Sequence, residues 1–271
     1  MNALAGPILL VGSGKMGTAL LRGWLDRGLV RDDVLVVDPA AGNDDLMALR
    51  VTALTAPDAI PQGCTFRAIV FAVKPQMMGE VLPAYREVVA SGALVISIAA
   101  GTVIGRFEEM FGETTPVVRA MPNTPAAIGK GATALFANAQ VDDQQRGLAE
   151  ALMAAVGQVH WLEDEEQMHA VTAMSGGGPA YVFLLIETLA RAGIAGGLPE
   201  ELAWPMARTT VIGSGALAAA SDEPAATLRE NVTSPGGTTQ AALEVLMADE
   251  GIQALFDRAI RAAAERSVEL A

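Results

Sequence analysis

The sequence predicts an α/β protein in two parts, a parallel-sheet domain over residues 1–162 followed by an all-α domain over residues 163–271. Three observations carry this reading. Short unbroken runs of Val, Ile and Leu alternate with helical spacing as far as residue 162; strand signals then stop; helical spacing continues alone to residue 271. Unbroken apolar runs separated by helices mark strands buried on both faces, as in a parallel sheet covered by helices on either side.

Taken in order, Ile8, Leu9, Leu10 and Val11 form the first strand and residues 16–26 have the spacing of a helix. Further strands are expected at 34–38, 51–54, 69–73, 94–98, 116–120, 132–136 and 159–162, with one helix across 76–89 and another near 142–155. The cluster Glu163, Asp164, Glu165 and Glu166 suits the first turn of a helix running towards Met174, where the positive end of the macrodipole favours carboxylates. Helices are then expected over 179–192, 199–220, 238–247 and 252–269. The last brings Ile252, Leu255, Phe256, Ala259, Ile260 and Ala263 to one face. Pro199 suits a first helical turn, whereas Pro205 should kink its helix or mark the true start. The stretch Val182, Phe183, Leu184, Leu185 and Ile186 is too apolar to stand in water, so the helical domain is expected to dimerise.

Composition narrows the function. Apolar residues make up 51% of the chain but aromatics only 4%, so the core must be aliphatic and rich in Ala and Gly. Residues 1–162 carry 12 Lys/Arg against 15 Asp/Glu, and residues 163–271 carry 6 against 16, so the net charge of −13 divides into −3 and −10. A phosphate backbone is repelled by that balance, which argues against nucleic acid as a partner. Cys64 is the single cysteine, and with His160 and His169 as the only histidines no Cys- or His-rich metal centre is expected. Residues 1–6 lack a basic n-region and lead into the first strand, and no run approaches the roughly 20 apolar residues that span a bilayer. A soluble, cytoplasmic protein without a membrane partner is expected.

Gly12, Ser13, Gly14, Lys15, Met16 and Gly17 follow the first strand and open a helix. In G-x-G-x-x-G the first glycine permits the turn, the second lets backbone approach a pyrophosphate, and the third lets helix pack on strand. Amides at the helix start then face the phosphates. A plain tight turn would use the same glycines. Asp38 ends the second strand, where an acid accepts hydrogen bonds from an adenosine ribose; it would equally serve as a turn or N-cap residue. Ala72, Val73, Lys74 and Pro75, and then Ala99, Ala100 and Gly101, also lie at carboxyl ends of strands, where an open α/β sheet binds its ligand. Ordinary turn chemistry at Pro75 is the other reading of that segment. In the helical domain, Ser234, Pro235, Gly236, Gly237, Thr238 and Thr239 precede an apolar helix. Backbone amides of such a loop suit a small carboxylate without Arg or Lys, although a threonine N-cap would give the same pattern. The run Ser175, Gly176, Gly177 and Gly178 leads into another helix, as a site wall or as a close helix crossing.

Met121-Pro122-Asn123-Thr124-Pro125, Ser175 to Tyr181, Asn231 to Thr239 and the Ala-Val-Lys-Pro segment at Ala72 to Pro75 together resemble the pyrroline-5-carboxylate reductase family. The likeness runs from the first strand to the final helix. It implies an N-terminal Rossmann domain and a helical domain that interlocks with a second subunit, giving at least a homodimer and often a larger ring such as a decamer. It implies NAD(P)H-dependent reduction of 1-pyrroline-5-carboxylate to L-proline, with Met121 and Asn123 joining Gly12 to Gly17, Asp38, Ala72 to Pro75 and Ala99 to Gly101 around the cofactor. By the same resemblance Val232, Ser234, Gly236, Gly237, Thr238 and Thr239 bind substrate, and Thr239, the candidate catalytic residue, hydrogen-bonds the ring nitrogen. Two departures bear on cofactor choice: Thr55 to Ala59 lack the asparagine often found near the adenosine, and Arg67-Ala68 stands where an acid is usual. Family habit favours NADPH. Asp38 argues instead that NADH works at least as well, because Pro39, Ala40, Ala41, Gly42 and Asn43 supply no cation for a 2′-phosphate while Asp44 and Asp45 add repulsion. Lys15 and Arg67 are the basic candidates.

Two enzymatic alternatives and one binding alternative compete with this reading. A β-hydroxyacid dehydrogenase needs a lysine on a helix of its second domain, and the lysines here are Lys15, Lys74 and Lys130. A reductase of another cyclic imine carboxylate would share every feature above. A non-catalytic nicotinamide sensor would have no use for a carboxylate-binding loop.

Overall fold

The computed structural model describes residues 6–30, 34–41 and 44–271, without the side chains of Asp44 and Asp45. The chain start at 1–5, Gly42, Asn43 and those two carboxylates therefore lie outside the described residues.

Eight strands among the described residues form one sheet: β1 (Ile8–Val11), β2 (Val34–Val37), β3 (Thr52–Leu54), β4 (Ala68–Phe71), β5 (Leu94–Ser97), β6 (Val117–Met121), β7 (Gly131–Ala137) and β8 (Gly157–Trp161). Their order is β3-β2-β1-β4-β5-β6-β7-β8. Alternation within the apolar runs builds two cores. Ile8, Leu10, Val36, Val70 and Ile96 face helices Lys15–Asp26 and Asp143–Ala154, while Leu9, Val37, Ile69, Phe71 and Val95 face Phe107 and the segment around Tyr85. Trp24, fully buried, ties the first pair of helices together by donating from Nε1 to the Leu152 carbonyl at 2.8 Å. Asp142 and Gln145 close a reciprocal capping box at the start of Asp143–Ala154.

The sheet is parallel from β3 to β6, but β6 pairs antiparallel with β7 and β7 parallel with β8. The expected parallel sheet is found, and the antiparallel pairing of β6 with β7 departs from it for a topological reason. Only a 3₁₀ turn, Thr124–Ile128, joins β6 to β7, and a connection that short cannot make a parallel crossover. The single helix expected across 76–89 is also corrected. It is a chain of short 3₁₀ and α pieces, Pro75–Met77, Met78–Val81, Leu82–Tyr85 and Arg86–Val89. Pro83 lacks the amide that a continuous helix would need there. Pro199 is the N-cap of helix Glu200–Ala219, and that helix runs through Pro205 instead of starting at it.

The chain divides into two compact units, Met1–Gly176 with Ala263–Ala271, and Gly177–Ala262. The second consists of helical segments whose apolar residues stand open in the single protomer: Val182, Phe183, Leu184 and Leu185 are exposed, Phe183 by 61%. Helix Gln167–Val171, a π-helical turn at Thr172–Gly176 and helix Gly178–Ala195 follow one another, with Gly177 between the last two. Among the described residues this stretch, Gln167–Ala195, is long and apolar enough to cross a membrane by length and composition, at mean hydropathy 1.2. The expectation that no run approaches such a length is corrected to that extent. Of the glycines in this run, Gly176 ends the π turn, Gly177 is the N-cap of the following helix and Gly178 its first residue.

Candidate functional site

In-register pairing sets Val11 level with Val37 and Phe71, and Phe71 level with Ser97. Gly12, Asp38, Ala72 and the turn at Ala99 therefore leave the sheet along one carboxyl edge. The chain departs from β1 towards β2 on one side and returns at β4 on the other, so the switch point of the topology lies between β1 and β4, where open α/β sheets bind ligands. The glycine loop sits there. Gly12 has φ +94°, and a Cβ on it would stand 2.9 Å from the Ala72 carbonyl oxygen and from Val73 Cγ1. A Cβ on Gly17 would run into the Gly12 carbonyl oxygen. Gly14, the N-cap of helix Lys15–Asp26, meets nothing within 4 Å. Two glycines thus close the turn onto its neighbours, while the middle one leaves open space at a helix N-terminus. That is the cradle a pyrophosphate needs.

Asp38 is bound into this cradle. Ser13 donates to its Oδ2 from the amide at 2.6 Å and from the hydroxyl at 2.8 Å, and the Ala40 amide donates to Oδ1 at 2.7 Å. The Ala41 amide donates to the Asp38 carbonyl at 2.9 Å. Asp38 is a turn residue and also an anchor for the glycine loop, and its half-buried carboxylate keeps lone pairs for a further donor. Its charge reaches Tyr85: burial first, and Asp38 second, hold that phenol above its usual range. Lys15 is exposed in the first helical turn. Arg67 is corrected as a candidate for a 2′-phosphate. It immediately precedes β4, with its amide bonded to the Pro7 carbonyl and its side chain against Gly6, at the opposite, amino edge of the sheet.

At the next strand ends Lys74 is exposed and caps the 3₁₀ turn Pro75–Met77, whereas Ala72, Val73 and Pro75 are half-buried. Ala99 and Gly101 are buried, Ala100 half-buried, and Gly101 takes φ +74°. Met121 and Asn123 follow from β6. Asn123 Oδ1 accepts from the Ala132 amide at 2.9 Å, and its Nδ2 donates to the Ser175 carbonyl at 3.3 Å and hydroxyl at 3.2 Å. The side chain read as a cofactor contact is thus engaged with the protein, fixing the π turn that holds Ser175. Such turns are frequent at functional sites.

One ion pair escaped the sequence reading. Arg119, on β6 and 2% exposed, donates from Nη1 to Glu165 Oε1 at 3.0 Å, and the same oxygen accepts from the Ile104 amide at 2.9 Å. Glu165 therefore serves the first amide of helix Ile104–Phe111, an element the sequence reading passed over. The signal was an arginine inside the apolar run Val117, Val118, Arg119, Ala120, because a charge so placed requires a partner.

The loop from Val232 to Thr239 belongs to the second unit. Ser234 and Gly237 close a turn by an amide-to-carbonyl bond of 3.0 Å, Gly236 takes φ +70°, and its amide donates to Gln240 Oε1 at 2.7 Å. Gly237 is the N-cap of helix Thr238–Leu246, with no side-chain cap. The threonine N-cap is thereby corrected: Thr238 and Thr239 occupy the first two helical positions, exposed, and among the described residues neither hydroxyl is hydrogen-bonded. The Gly236 and Gly237 amides are thus spent within the turn, and what is left for a small anion is the start of helix Thr238–Leu246 with two free hydroxyls.

A doubly wound sheet with a glycine cradle and an acid on its carboxyl edge has the form of a dinucleotide-binding α/β protein. Comparison with known proteins agrees: residues 7–101 match a family model described as NADP oxidoreductase, coenzyme F420-dependent, and residues 165–270 match one described as pyrroline-5-carboxylate reductase dimerisation. The chain is 39% identical to a pyrroline-5-carboxylate reductase of Pseudomonas aeruginosa over 97% of its own length and 96% of the relative's. Among solved structures, the Coxiella burnetii pyrroline-5-carboxylate reductase aligns with TM-score 0.90 at 35% identity, covering 98% of each chain. The Plasmodium falciparum pyrroline carboxylate reductase, solved with NADP bound, aligns with TM-score 0.83 at 31% identity over 99% of each. The chain belongs to the pyrroline-5-carboxylate reductase family.

Proposed function

We propose that this chain reduces 1-pyrroline-5-carboxylate to L-proline with a nicotinamide cofactor. The observation that carries the reading is likeness along nearly the whole chain to reductases of that name, supported by the free-hydroxyl loop at the start of helix Thr238–Leu246. In this reading Gly12 to Gly17, Asp38, Ala72 to Pro75 and Ala99 to Gly101 hold the dinucleotide, Met121 flanks it, and Asn123 acts by fixing Ser175. The cofactor supplies a hydride to the imine carbon. Val232, Ser234, Gly236, Gly237 and Thr238 surround the substrate carboxylate, which faces the amides that open helix Thr238–Leu246, because the Gly236 and Gly237 amides are already engaged within the turn. Thr239 is the candidate catalytic residue: its hydroxyl holds the ring nitrogen, which arrives already protonated as the iminium and leaves as the amine. No strong protein acid is then required, and the chain's work is orientation and exclusion of water. The helical domain, residues 163–271, pairs with a second copy through its open apolar faces, and a larger ring such as a decamer is compatible with that pairing. We read the apolar stretch Gln167–Ala195 as part of this interface, and the location as cytoplasmic. NADH is expected to serve at least as well as NADPH, since Asp38 stands by the adenosine ribose.

The test is cofactor oxidation on adding pyrroline-5-carboxylate, with piperideine-6-carboxylate as control. Turnover of the five-membered imine alone, or by a wide margin, supports the reading. Preferential turnover of the six-membered ring points to another cyclic imine reductase, and oxidation with neither imine to a nicotinamide sensor.

A further inference from the structure

Residues 98–103 join β5 to helix Ile104–Phe111 and include Ala99, Ala100 and Gly101, assigned above to the cofactor. The hydrogen bonds that Ala99 and Thr102 make to near neighbours are long: the Ala99 amide to Ser97 Oγ, on β5, at 3.3 Å and the Thr102 amide to the Ala99 carbonyl at 3.4 Å, at the weak end of the normal range. Firmer contacts come from distant parts of the chain. Glu165 Oε1 accepts from the Ile104 amide at 2.9 Å. Gly101 lies against the last turn of the chain, where a Cβ on it would stand 3.0 Å from the Leu270 carbonyl oxygen. These anchors come from the two ends of the segment matched at residues 165–270. Each is secured in turn. Ser267 Oγ bonds His169 Nδ1 at 3.0 Å, both residues buried, and Glu165 is held by Arg119 at 3.0 Å. Arg119 Nη2 is buried without a hydrogen-bond partner among the described residues. Moving Glu165 away would strand that buried cation, so the pair is a stiff anchor.

The geometry points to Glu165 as a positioning residue for cofactor binding: one carboxylate oxygen, shared by Arg119 and the Ile104 amide, sets where the Ala99 to Gly101 turn stands on the edge of the sheet. Glu165 touches no reacting atom and acts through the turn. The inference rests on the cofactor assignment above.

The measurement is the dissociation constant of the full chain for NADH or NADPH, whichever the wild type binds, by cofactor fluorescence without imine. Cofactor KM, kcat and Tm are followed alongside. Arg119→Met with Glu165→Ala frees the Ile104 amide without stranding a charge, and Arg119→Met with Glu165→Gln restores an acceptor to it. The first pair is expected to weaken cofactor binding by about fivefold or more, with kcat within about twofold, and the second to return within about twofold of wild type. Equal binding by the two overturns the inference, because a merely structural role lowers Tm in both and leaves the cofactor constant alone. Ile104→Pro covers the case in which the first pair does not fold. It deletes the same amide donor at a first helical position, where proline is tolerated, and Val103 already has the extended backbone, φ −76° and ψ 157°, that precedes proline. A loss of about fivefold is again expected, and unchanged binding overturns the role of Glu165. Wild-type protein that binds neither cofactor overturns the cofactor assignment itself.

Discussion

At Asp38 two demands meet, because the carboxylate holds the glycine loop through Ser13 and also stands at the strand end where an adenosine ribose would lie. A 2′-phosphate brought beside it faces a like charge: at ~4 Å and an effective dielectric near 20, unit charges interact by about 4 kcal/mol before screening. Asp38→Ser is therefore expected to move the ratio of kcat/KM values towards NADPH by about tenfold, or ~1.4 kcal/mol. An unmoved ratio in steady-state comparison of the two cofactors would mean that another group reads the ribose. Tyr85 offers a second handle. Burial and then Asp38 raise its pKa above the ordinary phenol value of 10.0, so the folded chain keeps a proton that the unfolded chain releases. The stability this contributes is whole below about pH 10 and drains away as pH rises beyond it. Tyr85→Phe should flatten the fall of Tm with pH on the alkaline side of about 10; a slope as steep as wild type would show that other groups govern it.

Among the elements, the turn before helix Thr238–Leu246 is the one whose chemistry is most exposed to mutation. Gly237 has an ordinary φ of −85°, so its demand for glycine is spatial: a Cβ would stand 3.0 Å from the Ser234 carbonyl oxygen. Gly237→Val should open that turn and raise KM for the imine while cofactor KM stays near wild type. Thr239→Val removes one hydroxyl that nothing in the described protein uses, so little stability should be lost while turnover falls by one hydrogen bond, about 0.5–3 kcal/mol in activation free energy. Steady-state kinetics unchanged in both variants would reduce the loop to a helix start. The broken segment from Pro75 to Val89 makes a complementary point about elements. Its apolar spacing reads as one helix, yet proline chemistry cuts it into single turns, and what keeps it in place is the burial of Met78, Leu82, Tyr85 and Val89.

For the whole molecule, the apolar residues of the second unit set the assembly. Phe183, Leu184, Leu202, Met206 and Ile212 are all exposed in the protomer. Single exposed apolar residues are ordinary, but a series spread along two long helices marks an interaction surface, and the match to a dimerisation model covers both helices. Sedimentation at micromolar concentration is expected to find a dimer or a multiple of it. A folded, active monomer would contradict this.

Much of this protein was legible in the sequence because it depends on neighbours along the chain. Unbroken apolar runs such as Ile8 to Val11 predict buried strands, the glycines of Gly12 to Gly17 predict a turn that closes on its own backbone, and the end of strand signals near residue 162 predicts the change to helix. Gly236 and Gly237 were readable as a turn that opens a helix, since glycine's freedom and a helix start are local properties. Tertiary structure decided what depends on distant groups meeting. The reversal of β7 and β8 follows from which edge a short connection can reach, the dismissal of Arg67 from the edge of the sheet it occupies, and the bonding of Asp38 to Ser13 from the adjacency of β1 and β2. The sharing of Glu165 between Arg119 and Ile104 spans 46 and 61 residues of chain. No periodicity reports such a contact, because a buried charge states that it needs a partner and leaves the fold to choose which one.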